Sequence, residues 1–165
     1  MKKLLLVLVI FLGLSVSKVS AQFEGTFGMG GHLKYGAEIA SMGAGAHLHY
    51  YRTNNIRLAP SFTYYLPRKG KSLWEIEADA HFIVPLSWDI SLYPIAGLNY
   101  GNWEYDAQKA DLGAEDWTKH KVGGNLGLGV QYEIGYRVRA NFEFKYQFIK
   151  DFSQLTVMAG IGFWL

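Results

Sequence analysis

Residues 136–148, YRVRANFEFKYQF, alternate between apolar and polar side chains without interruption. The even positions from Tyr136 to Phe148 are all apolar, and every odd position between them is charged or an amide. A period of two predicts a β-strand with one apolar and one polar face. A soluble sheet buries the apolar face, whereas a membrane barrel turns that face to lipid and encloses the polar one. The alternation by itself leaves both arrangements open.

The same alternation recurs in eight segments separated by turn-forming residues. An even number of segments, each near the roughly 9 to 11 residues of a tilted membrane strand, is typical of a transmembrane barrel. The connections after the second, fourth and sixth segments are short and the others longer, which is the loop asymmetry of such barrels. The predicted strands are Phe23–Tyr35, Ser41–Tyr51, Ile56–Leu66, Leu73–Val84, Ile90–Trp103, Lys121–Ile134, Tyr136–Phe148 and Leu155–Leu165.

The distribution of side chains between the two faces indicates which face looks inward. No Asp, Glu, Lys, Arg or His lies on the apolar parity of any predicted strand, and nearly every strand carries an aromatic there. The interior of an eight-stranded barrel is just wide enough to be filled by side chains, and the volume of those aromatics is too large for it. The polar face is rich in glycine, so its side chains would fit inside. We therefore predict an all-β fold, an eight-stranded antiparallel up-and-down transmembrane β-barrel. The alternative is a soluble, lipocalin-like barrel with the opposite facing.

The amino-terminal segment has the three parts of a secretory signal peptide: lysines at positions 2 and 3, an apolar run from Leu4 to Leu14, and small residues at positions 19 and 21. We predict a signal peptide over 1–21 and a single barrel domain over 22–165. Removal of the signal leaves 13 bases against 14 acids, so the charge gives no indication of nucleic-acid binding. The absence of cysteine excludes a disulfide scaffold and a lipid-modified cysteine.

Charged residues on the polar parity are expected inside the barrel, where each must be paired or hydrogen-bonded. If Gly135 centres the turn between strands six and seven, Glu133 faces Arg137 and Gln131 faces Arg139. Two functions remain open for this interior: a structural plug of ion pairs, or a narrow channel for ions or small solutes that opens when the pairs rearrange. The predicted interior network comprises Arg57, Glu75, Glu77, Asp79, Glu133, Arg137, Arg139, Glu143 and Lys145.

Metal and catalytic chemistry have weak signals in this sequence. His32, His47 and His49 share the inner face of neighbouring strands, but with no cysteine or well-placed carboxylate beside them we predict no metal site and no cofactor. A lipid-modifying enzyme, the remaining alternative, would need a Ser or His that an acyl chain can reach. The lipid face offers neither within the predicted strands, so we predict no catalytic residues and a protein that is not an enzyme.

The longest connection is the segment EYDAQKADLGAEDWTKH, residues 104–120. Its acids do not follow the spacing of an EF-hand calcium loop. The segment is a candidate contact for an extracellular partner, with Asp111, Asp116 and Trp117 as the contact residues and Trp117 as the apolar anchor.

Two prolines fall inside predicted strands. Pro60 lies in the third and Pro94 in the fifth. A proline removes a donor from the hydrogen-bond ladder, and a closed barrel has few donors to spare. We therefore predict a β-bulge at each.

In its motifs the chain resembles the small outer-membrane β-barrel family of Gram-negative envelopes, of the OmpX and OmpA transmembrane-domain type. The most specific parts are GGNLGLGVQYEI at 123–134, the strand YRVRANFEFKYQF that follows, and the terminal LTVMAGIGFWL. The last strand resembles the signal that the outer-membrane assembly machinery recognises, although here Trp164 and Leu165 close the chain where the family has a terminal Phe. The resemblance implies secretion through the inner membrane to the cell outer membrane, and contact with outer-membrane lipids and lipopolysaccharide. It also implies a structural or surface-interaction role with loops outside the cell.

Overall fold

The computed structural model describes residues 24–106, 116–135 and 137–165. Within them the chain forms eight strands, the fourth of which resumes as Val84–Pro85 after a break at Ile83. No helix in these residues is long and apolar enough to cross a membrane. The strands are β1 Phe27–Gly36, β2 Ser41–Tyr51, β3 Ile56–Arg68, β4 Lys71–Phe82, β5 Ile90–Tyr105, β6 Trp117–Glu133, β7 Val138–Ile149 and β8 Gln154–Trp164.

Hydrogen bonding closes the sheet on itself. Each strand pairs antiparallel with the next along the chain, and β1 also pairs with β8, from Gly28 opposite Trp164 to Gly36 opposite Thr156. Closure leaves no sheet edge exposed. The predicted eight-stranded antiparallel up-and-down barrel is confirmed, with strand ends that lie within four residues of their predicted positions.

The two faces of the sheet lie as the alternation predicts. Outward apolar side chains are exposed, as for Leu98 at 64 %, whereas inward charged ones are buried, as for Glu77 at 1 %. The strands therefore turn mostly apolar side chains outward and enclose most of their charged side chains, the reverse of a soluble barrel.

The connections lie at two ends of the barrel. The turn end carries residues 52–55 and 86–89 and the described residues 134, 135 and 137. The loop end carries residues 37–40, 69–70 and 150–153 and the described residues 106 and 116. The predicted loop around PRKGKS is instead a tight hairpin, because β3 and β4 extend to its tip. Lys69 and Gly70 have φ values of 49° and 76°, the left-handed pair that a two-residue type I′ turn needs.

The pairing of β6 with β7 differs from the predicted one by two residues. The turn is wider than one centred on Gly135 alone, since Ile134 N donates to Val138 O at 2.9 Å. Consequently Glu133 lies opposite Arg139, and Gly127 lies opposite Lys145. Tyr136 of the predicted strand lies outside the described residues.

The bulges predicted at the two prolines are absent. Pro60 lies in register opposite Ala78 on β4, while its pairing with β2 stops between His47 and Tyr50 and resumes in the same register. Pro94 likewise pairs with Leu128 on β6, and the ladder toward β4 is interrupted around Ile83. In an antiparallel strand each N–H points to one neighbour only. A proline therefore interrupts one of its two ladders, and the chain needs no extra residue.

The apolar part of the interior is divided between the two ends. The loop-end cluster packs under the loops, and the turn-end cluster packs above the short turns with Trp164 against it. Polar and charged side chains occupy the space between the clusters. The loop-end cluster consists of Ile39, Tyr65, Leu73, Trp103, Ile149 and Phe152, and the turn-end cluster consists of Tyr51, Ile83, Tyr93 and Ile95.

Candidate functional site: the polar interior

A column of three carboxylates runs along the inner face of β4. Glu75, Glu77 and Asp79 alternate with outward residues, so their side chains enter the barrel one above the other. Lys34 Nζ from β1 lies 2.5 Å from Glu75 Oε1 and 2.7 Å from Glu77 Oε2. Lys145 Nζ from β7 lies 2.9 Å from Glu77 Oε2 and 2.8 Å from Asp79 Oδ2. Lys34 and Lys145 thus link β1 and β7 across the barrel to β4 through the shared carboxylate of Glu77.

Two side-chain amides also donate hydrogen bonds to these acids. Asn125 Nδ2 donates to Glu77 Oε1 at 3.0 Å and to Asp79 Oδ1 at 2.8 Å. Gln147 Nε2 donates to Glu75 Oε2 at 3.1 Å and to Glu77 Oε1 at 3.0 Å. Buried charges are tolerated when paired and hydrogen-bonded in this way, and removal of one partner typically costs about 3–5 kcal/mol.

Two tyrosines connect this central network to the apolar clusters. Tyr65 OH of the loop-end cluster donates to Glu75 Oε1 at 2.9 Å, and Tyr93 OH of the turn-end cluster donates to Glu143 Oε1 at 3.0 Å. Each ring contributes apolar surface to a cluster while its hydroxyl satisfies a buried acid.

Arginines and aromatic rings alternate across the turn end of the interior. The Cζ atom of Arg139 lies 3.4 Å from the ring centroid of Trp164 and 5.7 Å from that of Tyr51. The Cζ atom of Arg57 lies 5.8 Å from the Tyr51 centroid and 4.6 Å from the Tyr93 centroid. Stacking of a desolvated guanidinium on an aromatic face is attractive. The stack therefore forms a polar and aromatic layer directly above the short turns.

The two arginines also hold neighbouring polar groups. Arg139 Nε lies 2.6 Å from Glu133 Oε2, and Arg57 Nη2 lies 2.8 Å from His81 Nδ1. Arg57 Nη1 additionally donates to Gln131 Oε1. These bonds position the guanidinium groups between the rings.

The histidines pack against one another between β1, β2 and β4. His32 Nδ1 lies 3.4 Å from His47 Nδ1, and the rings of His47 and His49 stack at 4.5 Å. His81 joins them through His49, with a ring distance of 6.0 Å. No group of three or more His, Asp or Glu in the described part of the chain is arranged to hold a metal ion.

Inward-facing glycines make room for these large side chains. A Cβ at Gly45 would lie 2.6 Å from His32 Nε2, and one at Gly30 would lie 2.6 Å from His47 Nε2. A Cβ at Gly129 would lie 2.7 Å from the hydroxyl of Tyr93. The glycine wall expected from the sequence thus provides space for long polar side chains from the other strands.

The structure places eight of the nine predicted network residues on the inner face, with Glu133 at its turn-end margin. The exception is Arg137, which is exposed in the turn before β7. Its expected interior position is corrected, because the two-residue change of register brings Arg139 opposite Glu133 instead.

Sequence reasoning left several interior residues out of the network. Lys34, Asn125 and Gln147 lie on the polar parity but were not paired with the acids of β4, since β1, β6 and β7 are far from β4 in the chain. Tyr51, Tyr65 and Tyr93 occupy polar-parity positions of their strands. That parity was the sequence signal from which their inward position could have been predicted.

The predicted extracellular contact residues lie in different surroundings. Asp111 is outside the described residues, and Asp116 is exposed immediately before β6. Trp117 belongs to β6, where its ring stacks on Tyr105 at 5.7 Å and approaches Phe152 at 5.8 Å. The expectation that Trp117 lies in a loop is therefore corrected: it packs half-buried against the loop-end cluster.

Three solved structures share this architecture. The N-terminal β-barrel domain of Pseudomonas aeruginosa OprF superposes with a TM-score of 0.70 at 19 % identity, covering 86 % of this chain and 98 % of that one. Neisserial surface protein A gives 0.67 at 18 %, covering 85 % and 97 %. The Yersinia pestis attachment invasion locus protein Ail gives 0.62 at 16 %, covering 86 % and 99 %. At these identities the likeness concerns the fold.

Sequence comparison supplies the family. Among curated proteins, no sequence matches this chain. A model of the outer membrane protein beta-barrel domain, however, matches residues 6–163. The matched region spans all eight strands, and the exposed apolar band around the barrel is the surface that a membrane protein turns to lipid. The chain therefore belongs to the outer membrane protein beta-barrel domain family.

Proposed function

We propose that this protein is a sealed outer-membrane barrel with a structural and surface-interaction role, rather than a channel. The observation that carries the proposal is the organisation of the interior, in which a paired charge network lies between two apolar clusters. Its partners at the sides are outer-membrane lipids and lipopolysaccharide, and its last strand is the part that the assembly machinery recognises.

Any solute path along the barrel axis would have to cross all three layers. Trp103 and Leu73 of the loop-end cluster and Tyr51 of the turn-end cluster are essentially inaccessible to solvent. Between the clusters, movement of Lys145 would leave three nearby carboxylates, of Glu77, Asp79 and Glu143, without its charge. Opening the barrel therefore requires disruption of packing and of ion pairs together.

The loop end is the surface on which an extracellular partner would bind. Lys119 Nζ lies 4.9 Å from the centroid of the Trp117 ring, so cationic and aromatic groups are adjacent there, with Asp116 beside them. The structurally similar Ail is an attachment invasion locus protein and has been solved in complex with the heparin analogue sucrose octasulfate, so a ligand complex is known for a barrel of this fold.

The arrangement does not support an enzymatic role. The only contact between a hydroxyl and a histidine ring in the interior of the described chain joins Thr63 Oγ1 and His32 Nε2 at 2.9 Å, and both are buried between the two clusters. A lipid substrate could not reach that hydroxyl, so we assign the pair to packing. On the outward face of the described chain, Tyr100 OH lies 2.9 Å from His120 Nδ1, but Ser72 Oγ bonds Glu104 rather than a histidine, so no serine–histidine pair forms there.

Conductance in planar lipid bilayers tests the sealed barrel. We expect the purified wild-type protein to insert without discrete current steps. A Leu73→Ala/Trp103→Ala/Tyr51→Ala variant, which thins both clusters, serves as the positive control for detection and should conduct. Discrete steps from the wild type that change size in Glu77→Gln would establish the channel instead.

A further inference from the structure

The outward face of β4, β5 and β6 carries a polar group that the sequence did not place there. These strands extend farther toward the loop end than predicted, which adds Ser72, Glu104 and His120 to the outward parity beside Asn102 of the predicted fifth strand. Trp74, Asn102 and His120 form one cross-strand row, and Ser72 and Glu104 belong to the next row toward the loops. The predicted strands themselves carry no Ser, Glu or His on this parity, because all three residues lie in the extensions.

An aromatic shelf marks the depth of this group in the membrane. The rings of Phe62 and Trp74 lie 6.3 Å apart, those of Trp74 and Tyr100 5.7 Å apart, and those of Tyr100 and His120 6.1 Å apart. Outward-facing aromatic girdles lie at the boundary between hydrocarbon and headgroups. Asn102 and Glu104 are therefore at the height of lipid headgroups.

Asn102 is the unusual member of the group. Its side chain is only 5 % exposed although it points outward, between Trp74 and His120 on the neighbouring strands. Its Nδ2 donates to Glu104 Oε1 at 2.9 Å, while its Oδ1 is buried without a hydrogen-bond partner. If the amide were rotated by 180°, Oδ1 would face Glu104 Oε1, and two acceptors would oppose each other. Nδ2 therefore faces Glu104, and the group without a partner is the acceptor Oδ1. A buried acceptor without a donor is unfavourable and calls for a ligand that supplies one.

Glu104 adds a carboxylate directly beside that acceptor. Its second oxygen, Oε2, accepts a bond from Ser72 Oγ at 3.4 Å, so the carboxylate is held from both sides, and its side chain is exposed. The site thus offers an amide oxygen, a carboxylate and the rings of Trp74 and Tyr100, the second of which has His120 stacked on one face. These groups favour a cation that donates hydrogen bonds.

We propose that Asn102, Glu104, Trp74 and Tyr100 bind the primary ammonium group of a membrane-lipid headgroup. An ammonium group has three N–H donors and no acceptor, which matches the Oδ1 of Asn102 and the carboxylate of Glu104, and its charge is attracted to aromatic faces. A choline headgroup has no N–H to give Asn102, and a headgroup that is only anionic is repelled by Glu104. The inference rests on the lipid-facing surface of the proposed function and does not depend on whether the interior is sealed.

The test compares retention of phosphatidylethanolamine and phosphatidylcholine by the full-length protein, released from mixed nanodiscs and analysed by native mass spectrometry. Wild type should retain the ethanolamine lipid about tenfold over the choline lipid, as one charge-assisted bond implies. Glu104→Gln and Asn102→Leu should each remove most of this preference, and stepwise N-methylation of the headgroup should reduce it progressively.

Glu38→Gln is the matched control, because Glu38 is also an exposed acid at the loop end but lies in the β1–β2 connection. It should leave the preference unchanged. Equal retention of the two lipids by wild type, a preference for phosphatidylglycerol, or equal losses in Glu38→Gln and Glu104→Gln would each overturn the proposal. None of these results would alter the conductance outcome, so the two proposals fail separately.

Discussion

The guanidinium of Arg139 stacks on the ring of Trp164, with its Cζ atom 3.4 Å from the ring centroid. Arg139 begins the inward series of β7, and Trp164 is the last inward residue of β8. The contact therefore joins two neighbouring strands inside the turn end and places the penultimate residue of the chain over the interior.

Replacement of Trp164 by Ala should destabilise the barrel by about 3 kcal/mol, since the ring packs on the turn-end cluster and on Arg139. The free energy of unfolding in urea, measured in lipid vesicles, checks this value. Trp88→Ala is the control, because Trp88 is 88 % exposed in a short turn and should change stability by less than about 0.5 kcal/mol. Similar losses in both variants would show that Trp164 contributes only as a membrane-interface aromatic.

The corrected register of β6 and β7 distinguishes two neighbouring arginines. Arg139→Met should cost about 3 kcal/mol, because it leaves Glu133 without its partner at 2.6 Å and removes the stack on Trp164. Arg137→Met should change the unfolding free energy by less than about 0.5 kcal/mol, because Arg137 is exposed. The same urea titration measures both, and the reverse order would restore the pairing of Glu133 with Arg137.

Lys145 should be the most sensitive cation of the interior. Lys145→Met removes the cation at 2.8 Å from Asp79 and leaves Glu77 with Lys34 alone, and it should cost about 3–5 kcal/mol. The double variant Lys145→Met/Asp79→Asn removes one acid as well and should recover part of that loss. Lys121→Met is the control nearer the surface: its partner Asp151 is 62 % exposed, and pairs that solvent reaches contribute about 0–1 kcal/mol. Equal effects at the two lysines would argue that water enters the interior and screens its charges.

Gly45 on β2 faces the interior, and Gly31 on the neighbouring β1 faces outward. Alanine at each position tests whether the inward-facing glycines are needed to make room for the interior side chains. Gly45→Ala should cost about 1–3 kcal/mol, because the added methyl group would clash with the backbone oxygen of Phe62 and approach His32 Nε2 to 2.6 Å inside a packed interior. Gly31→Ala points outward, where its nearest neighbour, Gly45 O, is 3.7 Å away, and it should be nearly neutral. Thermal unfolding followed by the loss of heat-modifiable migration on gels ranks the two. A neutral Gly45→Ala would mean that the β3 backbone at Phe62 and the ring of His32 can both move aside.

Much of the architecture could be predicted from the chain without coordinates. The number of strands and the direction of each face follow from alternation, as Phe142 and Glu143 show by lying outside and inside. Alternation is a local property, because successive side chains point to opposite faces whatever strand lies beside them. For the same reason the acids at positions 75, 77 and 79 could be assigned to one inner column.

The pairing between strands needed the tertiary structure. A two-residue change of register preserves every face, so the pattern could not distinguish Arg137 from Arg139 as the partner of Glu133. Lys34 and Glu77 meet only because the barrel closes, and the apolar clusters draw Ile39 and Phe152 from connections that carry no alternation. The outward site depends on how far β4, β5 and β6 extend together. The sequence by itself therefore determined which way each side chain points, through the two-residue repeat of the strand. Which residue of another strand each side chain contacts depends on turn lengths and barrel closure, and only the tertiary structure decided that.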